Sequence, residues 1–222
     1  MKHVLIPTKL DAIAQEILSA KGFAVLQDAD TALAELVKAH PETEALIVRS
    51  EEVTAAVIDA LPNLKVVIRA GAGYDTIDTK HARRRRVDVM NTPGANANGV
   101  AEEVFALALA CYRHVVPGDV TTRAGKWEKK KYMGRELHRK TLGIVGLGNI
   151  GQLVAKRSAG FEMRLLGYDP VISAAKAEDL GVKLVDLPTL FAEADIVSLH
   201  VPETDETRGM VNRDLLGRMK KG

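Results

Sequence analysis

The chain is poor in several features that mark particular protein classes. It has one cysteine in 222 residues, Cys111, so no internal disulfide can form, which suits a reducing cytoplasm. No apolar stretch reaches the roughly 18 residues that a membrane-spanning helix needs. After Met1-Lys2-His3 the apolar run is only Val4-Leu5-Ile6 before Pro7, too short for a secretory signal. Net charge is +2, which gives no global attraction to nucleic acid or to an acidic membrane. There is no internal repeat, no low-complexity tract, no Cys/His cluster for a metal and no Gly-x-Ser-x-Gly elbow for hydrolysis. The expectation is a soluble cytoplasmic protein with no nucleic-acid, membrane or metal partner.

What remains is an ordinary globular composition, 46% hydrophobic and 27% charged. The length allows two lobes of about 100 residues, each able to bury its own core. Short β-rich runs at 4–6, 23–26, 45–48, 66–68 and 87–90 alternate with helical patterns such as 11–20, 31–39 and 54–60. That alternation is the mark of a doubly wound parallel sheet. The turn-rich Asn91-Thr92-Pro93-Gly94-Ala95-Asn96 interrupts it, and a hinge is expected near Pro93 and Gly94. Apolar residues at close helical spacing (Val104, Leu107, Ala108, Cys111) then predict a largely buried helix over 100–116. A polar loop covers 127–137, and a second alternating series has strands at 142–145, 164–167, 182–184 and 196–199. The run Arg83–Arg86 reads as an exposed helix end before a strand.

The strongest motif is Gly146-Leu147-Gly148-Asn149-Ile150-Gly151. Alone a G-x-G-x-x-G is weak. Here it follows an apolar strand, opens a helix, and has an acid, Asp169, 18 positions after Gly151. Gly146 permits the tight turn, Gly148 lets the backbone approach a pyrophosphate, and Gly151 lets the helix pack on the sheet. The helix N-terminus offers unpaired N–H groups and a partial positive charge to phosphates. Asp169 ends the second strand, where a carboxylate accepts from both ribose hydroxyls and repels a 2′-phosphate. The expected cofactor is therefore NAD rather than NADP.

With these motifs goes a resemblance, nearly end to end, to the D-isomer-specific 2-hydroxyacid dehydrogenase family. It is carried by the glycine motif, Tyr168-Asp169-Pro170, His200-x-Pro202 and Glu206-Thr207-Arg208-Gly209. In the first lobe it is carried by Val48-Arg49-Ser50, by Arg69-Ala70-Gly71-Ala72-Gly73 with Asp75, Ile77 and Asp78, and by residues 91–96. Within the family, the stretch from Trp127 to Gly134 with Glu136-Leu137 is most similar to D-3-phosphoglycerate dehydrogenases. The resemblance implies a flavodoxin-like substrate lobe over 1–93 that lacks the family's returning C-terminal segment. It implies an incomplete Rossmann NAD-binding domain over 94–222. The partners implied are a 2-hydroxy or 2-oxo acid, phosphorylated in this branch, and a second copy of the chain in a homodimer or larger assembly.

The resemblance also implies roles. The N–H groups of Gly71, Ala72 and Gly73 would hold the substrate carboxylate, with Arg49 and Arg69 on its anionic groups and Ser50 beside them. Gly146, Gly148, Asn149, Ile150, Gly151 and Asp169 would bind NAD, with His200, Val201 and Pro202 bordering its nicotinamide or ribose. The residues themselves leave alternatives: a strand-end salt bridge for each arginine, a plain strand-end histidine for His200, and a solvated loop for Lys129–Lys131 rather than added charge for a phosphate. The chain departs from the family at Gly99, where serine is common, at Asn149, where arginine is common, and at Pro117-Gly118, which should end or kink the long helix. Hydride transfer also requires a cation for the carboxylate, a proton donor and a group tuning that donor. The family supplies these as arginine, histidine and glutamate downstream of a segment like Met219-Lys220-Lys221-Gly222. No catalytic residue is therefore assigned, and the 222 residues alone are expected to be inactive. Two classes stay open: an oxidoreductase seen in part, or a non-catalytic NAD(H)-binding module.

Overall fold

In a computed structural model, which describes residues 2–221, the chain divides into two compact units, Met1–Ala95 and Asn96–Gly222. The first unit alternates β1 (His3–Ile6), α1 (Ala12–Ala20), β2 (Ala24–Gln27), α2 (Leu33–Ala39), β3 (Ala45–Val48), α3 (Ala55–Asp59), β4 (Val66–Arg69), α4 (Thr79–Arg84) and β5 (Asp88–Asn91). Its five strands are all parallel, in the order β2-β1-β3-β4-β5. This is the flavodoxin-like order, with the chain reversing direction across the sheet between β1 and β3. The core is one apolar cluster in which Leu5, Leu46, Val48 and Val67 meet Leu36, Val37, Ile58 and Leu61. Polar side chains begin several helices: Asp11, Thr54 and Asp78 accept from Ile13, Val57 and His81 N–H. Each such cap is worth about 1 kcal/mol.

The second unit opens with α5 (Ala97–Tyr112) and α6 (Val115–Arg123). Then follow β6 (Thr141–Val145), α7 (Asn149–Ser158), β7 (Arg164–Tyr168), α8 (Ala174–Asp179), β8 (Val182–Leu184), α9 (Leu187–Glu193), β9 (Ile196–Leu199) and α10 (Arg213–Arg218). Its sheet is parallel in the order β8-β7-β6-β9, the 3-2-1-4 portion of a Rossmann sheet, and β9 is an edge strand. All of β6 is buried between two apolar clusters, one holding Phe105, Val154 and Ala155, the other Leu190 and Phe191.

The single helix expected over 100–116 is corrected in two respects. It starts three residues earlier, at Ala97, and breaks at Arg113-His114, where His114 takes a left-handed conformation with φ of 53°. The break thus precedes Pro117, which sits in the first turn of α6. Proline can occupy a first turn, whereas in a continuous helix its ring would strike the carbonyl four residues back, that of Arg113. The helix is also less buried than its composition suggests. Only Ala97, Ala101 and Phe105 are fully buried, and Leu107 and Cys111 are exposed, because the apolar residues encircle the helix and only one stripe can face the core.

One core position is left imperfect. Thr141 is 2% exposed, yet its hydroxyl has no hydrogen-bond partner among the described residues. Thr141→Val keeps the shape and removes the stranded polar group, so it should stabilise the second unit by about 1 kcal/mol. An upward shift of the urea midpoint at unchanged slope would register the gain.

Candidate active site

Strand register determines what meets at the carboxyl edge of the second sheet. Val145 lies opposite Tyr168 on one side and Leu199 on the other. The residues that follow them, Gly146, Asp169 and His200, therefore emerge side by side. Backbone bonds tie the three ends together, Gly146 N–H donating to Tyr168 C=O (2.8 Å) and His200 N–H to Val145 C=O (2.7 Å). This edge, beside the strand where the order reverses, is where open α/β sheets bind ligands.

The glycines fit a dinucleotide. Gly146 has φ of +92°, and a Cβ there would lie 2.7 Å from His200 O. A Cβ on Gly151 would come within 2.0 Å of Gly146 O, so the start of α7 lies directly against the turn. Gly148 differs from both: nothing lies within 4 Å of where its Cβ would be. Its missing side chain leaves a bare approach to the N-terminus of α7, where the first helical bond runs from Gln152 N–H to Gly148 C=O. The N–H groups of Asn149, Ile150 and Gly151 have no protein acceptor among the described residues, which is the donor set an anionic pyrophosphate requires. Asn149 is exposed at the head of the helix, and Ile150 packs on the core. A Cβ on Gly99 would also meet nothing within 4 Å, so a small side chain would fit there.

Asp169 is held by three N–H groups. One carboxylate oxygen accepts from Leu147 (2.7 Å), inside the glycine turn, and the other from Val171 (2.8 Å) and Ile172 (3.0 Å). Partial burial works against ionisation, but these bonds outweigh it and hold the carboxyl below its usual range. The charge is thus permanent at neutral pH. Three bonds leave acceptor capacity on a carboxylate with about four lone-pair sites, enough for a ribose hydroxyl.

His200 is partly buried, and its Nε2 lies 2.9 Å from Ser198 Oγ. Burial lowers its pKa below the ordinary histidine value, so at pH 7 the ring is neutral. Val201 is partly buried beside it and Pro202 is exposed. The folded state resists protonating His200 and the unfolded chain does not, so this residue's contribution to stability is intact above about pH 6.5 and is lost as pH falls below it. His200→Gln should flatten the fall in melting temperature between about pH 7 and pH 5.5, a range above the titration of most carboxylates. An unchanged slope in thermal melts would contradict the burial of the ring.

In the first unit the strands β3, β4 and β5 end in register, Val48 opposite Arg69 and Arg69 opposite Asn91. Arg49 and Ser50 follow β3 and are exposed, and Arg69 Nε donates to Arg49 C=O at 3.0 Å. Neither arginine has an ion pair among the described residues, so the strand-end salt bridge does not form. The Arg69 guanidinium folds over Gly71, where a Cβ would lie only 1.4 Å from Nη1. The loop is pinned from β5: Asn91 Nδ2 donates to Ala72 C=O (2.7 Å) and Thr92 N–H to Gly71 C=O (2.9 Å). Gly71 N–H is engaged by Arg69 C=O, whereas Ala72 and Gly73 N–H have no acceptor among the described residues.

Two participants do not stand out in the sequence. Glu51 accepts from Arg49 N–H (2.7 Å) and Ser50 N–H (3.1 Å); partial burial opposes its charge, and these bonds still leave it below the usual range. Its place directly after Arg49-Ser50 at a strand end is the available signal. Asn91 reads in the sequence as part of a turn, and its role as the clamp on Ala72 depends on register between β4 and β5. Four of the six histidines, His3, His40, His81 and His138, pair with Glu42, Asp59 or Glu162. His3 and His40 do so around the starts of strands in the first sheet, and His138 just before β6 in the second, at the edge of that sheet away from the glycine turn. Among the described residues no group of His, Cys, Asp and Glu could hold a metal ion, and no helix is long and apolar enough to cross a membrane.

A glycine turn against a helix start, with an ionised carboxylate on the neighbouring strand, defines the second unit as a dinucleotide-binding α/β domain. Residues 105–222 match the D-isomer specific 2-hydroxyacid dehydrogenase NAD binding domain, and the chain belongs to that family, with NAD as its cofactor. It is 51% identical over 190 residues to hydroxypyruvate reductase of Thermotoga maritima, covering 85% of this chain and 61% of that one. It is 42% identical over 220 residues to D-3-phosphoglycerate dehydrogenase of Archaeoglobus fulgidus, covering 99% of this chain and 42% of that one. Among solved structures, the TT0316 protein of Thermus thermophilus superposes with a TM-score of 0.89 at 35% identity, covering 99% of this chain and 71% of that one. The chain thus spans about two fifths to three fifths of the length of these curated relatives.

Proposed function

We propose that the protein to which these residues belong oxidises a three-carbon D-2-hydroxyacid with NAD, 3-phosphoglycerate to 3-phosphohydroxypyruvate. The observation that carries this reading is the pair of unpaired arginines, Arg49 and Arg69, beside the free N–H groups of Ala72 and Gly73. Two planar cations and two backbone donors match a substrate with two anionic ends, a carboxylate and a phosphate. In this reading residues 1–93 are the substrate lobe and residues from 94 onward bind NAD. Bound NAD supplies the hydride acceptor. Asp169 holds its adenosine ribose, the N–H groups at Asn149–Gly151 hold its phosphates, and His200, Val201 and Pro202 border the nicotinamide end.

A second reading, reduction of unphosphorylated hydroxypyruvate or glyoxylate, is favoured by the 51% identity to the Thermotoga reductase. Competition between 3-phosphoglycerate and D-glycerate in the whole protein distinguishes them. The first reading expects a preference for the phosphorylated acid, with Arg49→Gln and Arg69→Gln each raising KM by about 10–100-fold, the worth of a hydrogen bond to a charged group. Preference for D-glycerate, or unchanged KM in both variants, would favour the second.

The 222 residues by themselves are proposed to bind NAD without turnover. His200 is the histidine at the ligand edge of the second sheet, and burial keeps it neutral, with Ser198 rather than a carboxylate as its partner. A neutral, serine-bonded ring is a poor proton donor to a carbonyl oxygen. The exposed Leu107, Val115, Val116 and Val120 on α5 and α6 support a homodimer through these helices.

A further inference from the structure

The run Arg83–Arg86 divides in two. Arg84 contacts the His81 ring at 3.1 Å and Arg85 pairs with Asp59, so both are committed to the protein. Arg83 and Arg86 have no ion-pair partner among the described residues. Both instead line a cleft of about 660 Å³ with Tyr74, Thr79, Asp88 and Asn91. That volume lies within the range of small-molecule sites, about 300–1,000 Å³.

Two further features mark the cleft. Arg86 has φ of 57° at the turn that ends α4. That left-handed turn closes α4, with Val87 N–H bonded to Ala82 C=O at 2.9 Å and Arg86 N–H to Arg83 C=O at 3.1 Å, so the two arginines line the cleft from a hydrogen-bonded turn. The cleft also runs along β5, an edge strand of its sheet. Asp88 N–H donates inward to Lys65, so the alternate residue Val89 turns its N–H and C=O outward along the cleft. Asp88 is a carboxylate in the same wall, which disfavours a bare anion and suits a ligand that also carries hydroxyl donors.

We propose that this cleft binds a small phosphate monoester bearing free hydroxyls, with Arg83 and Arg86 on the phosphate and Asp88 and Asn91 on the hydroxyls. The site is separate from Arg49 and Arg69 and does not depend on the dehydrogenase reading. Asn91 borders both places, because its amide also holds Ala72 in the substrate loop.

Hydrogen-exchange mass spectrometry on the 222-residue chain tests this with glucose 6-phosphate, glucose and inorganic phosphate as separate probes. Glucose 6-phosphate is expected to slow exchange at least threefold in peptides spanning residues 83–91, glucose not at all, and inorganic phosphate less than the ester. The slowing should vanish in Arg83→Gln/Arg86→Gln, and Arg83→Gln alone, on an exposed helix position, should weaken it if the double variant fails to fold. No slowing, equal slowing by glucose, slowing confined to residues 49–73, or slowing that persists in the variants would overturn the site. Equal slowing by inorganic phosphate would overturn the roles of Asp88 and Asn91.

Discussion

Gly151→Ala should destabilise the second unit by about 3 kcal/mol, and Gly148→Ala should leave its stability nearly unchanged while abolishing measurable NAD binding. Both positions belong to one motif, so composition treats them alike. A methyl on Gly151 meets a backbone oxygen at 2.0 Å, and neither the turn nor α7 can yield without opening the buried contacts of Val154 and Ala155. A methyl on Gly148 meets nothing within 4 Å, and its φ of −74° is ordinary for alanine. It would nonetheless occupy the space through which a pyrophosphate must approach the N–H groups of α7. Urea denaturation followed by NADH titration separates the two. Equal loss of stability in both variants would mean that the motif serves only packing.

Much of this arrangement is legible in the sequence because it depends on local chemistry. Alternation of strands and helices indicates two parallel sheets, and Gly146–Gly151 with Asp169 points to the proposed cofactor edge before any register is known. Departures occur where tertiary contacts decide. The break between α5 and α6 falls at His114, because the constraint imposed by Pro117 acts four residues back along the helix. Exposure of Leu107 follows from which stripe of α5 the sheet accepts, which hydrophobicity alone cannot tell. Arg49 and Arg69 are recognisable as strand ends, yet their contact with each other, the folding of Arg69 over Gly71 and the anchoring of Ala72 by Asn91 arise only when β3, β4 and β5 align. Glu51 escapes notice because a carboxylate beside two candidate anion-binding arginines looks like a contradiction, until its bonds to the N–H groups of Arg49 and Ser50 show that it braces the turn.

Asp169 is the residue through which the second unit is proposed to hold NAD. This carboxylate is ionised, since three N–H groups fix it below the usual range, and one of them, Leu147, belongs to the glycine turn itself. In that proposal its charge would both accept from a ribose hydroxyl and repel a 2′-phosphate. Asp169→Ala should therefore weaken NADH binding by about 10–100-fold, the worth of hydrogen bonds to a charged group, and should weaken NADPH binding much less. Asp169→Asn should fall between, keeping an acceptor but losing the charge. The direct measurement is a fluorescence titration of NADH and NADPH against the 222-residue chain and its Asp169→Ala variant in the same buffer. The native chain should prefer NADH, and the variant should lose most of this preference. Equal affinity for the two cofactors in the native chain, or a preference that survives in the variant, would contradict the role of Asp169.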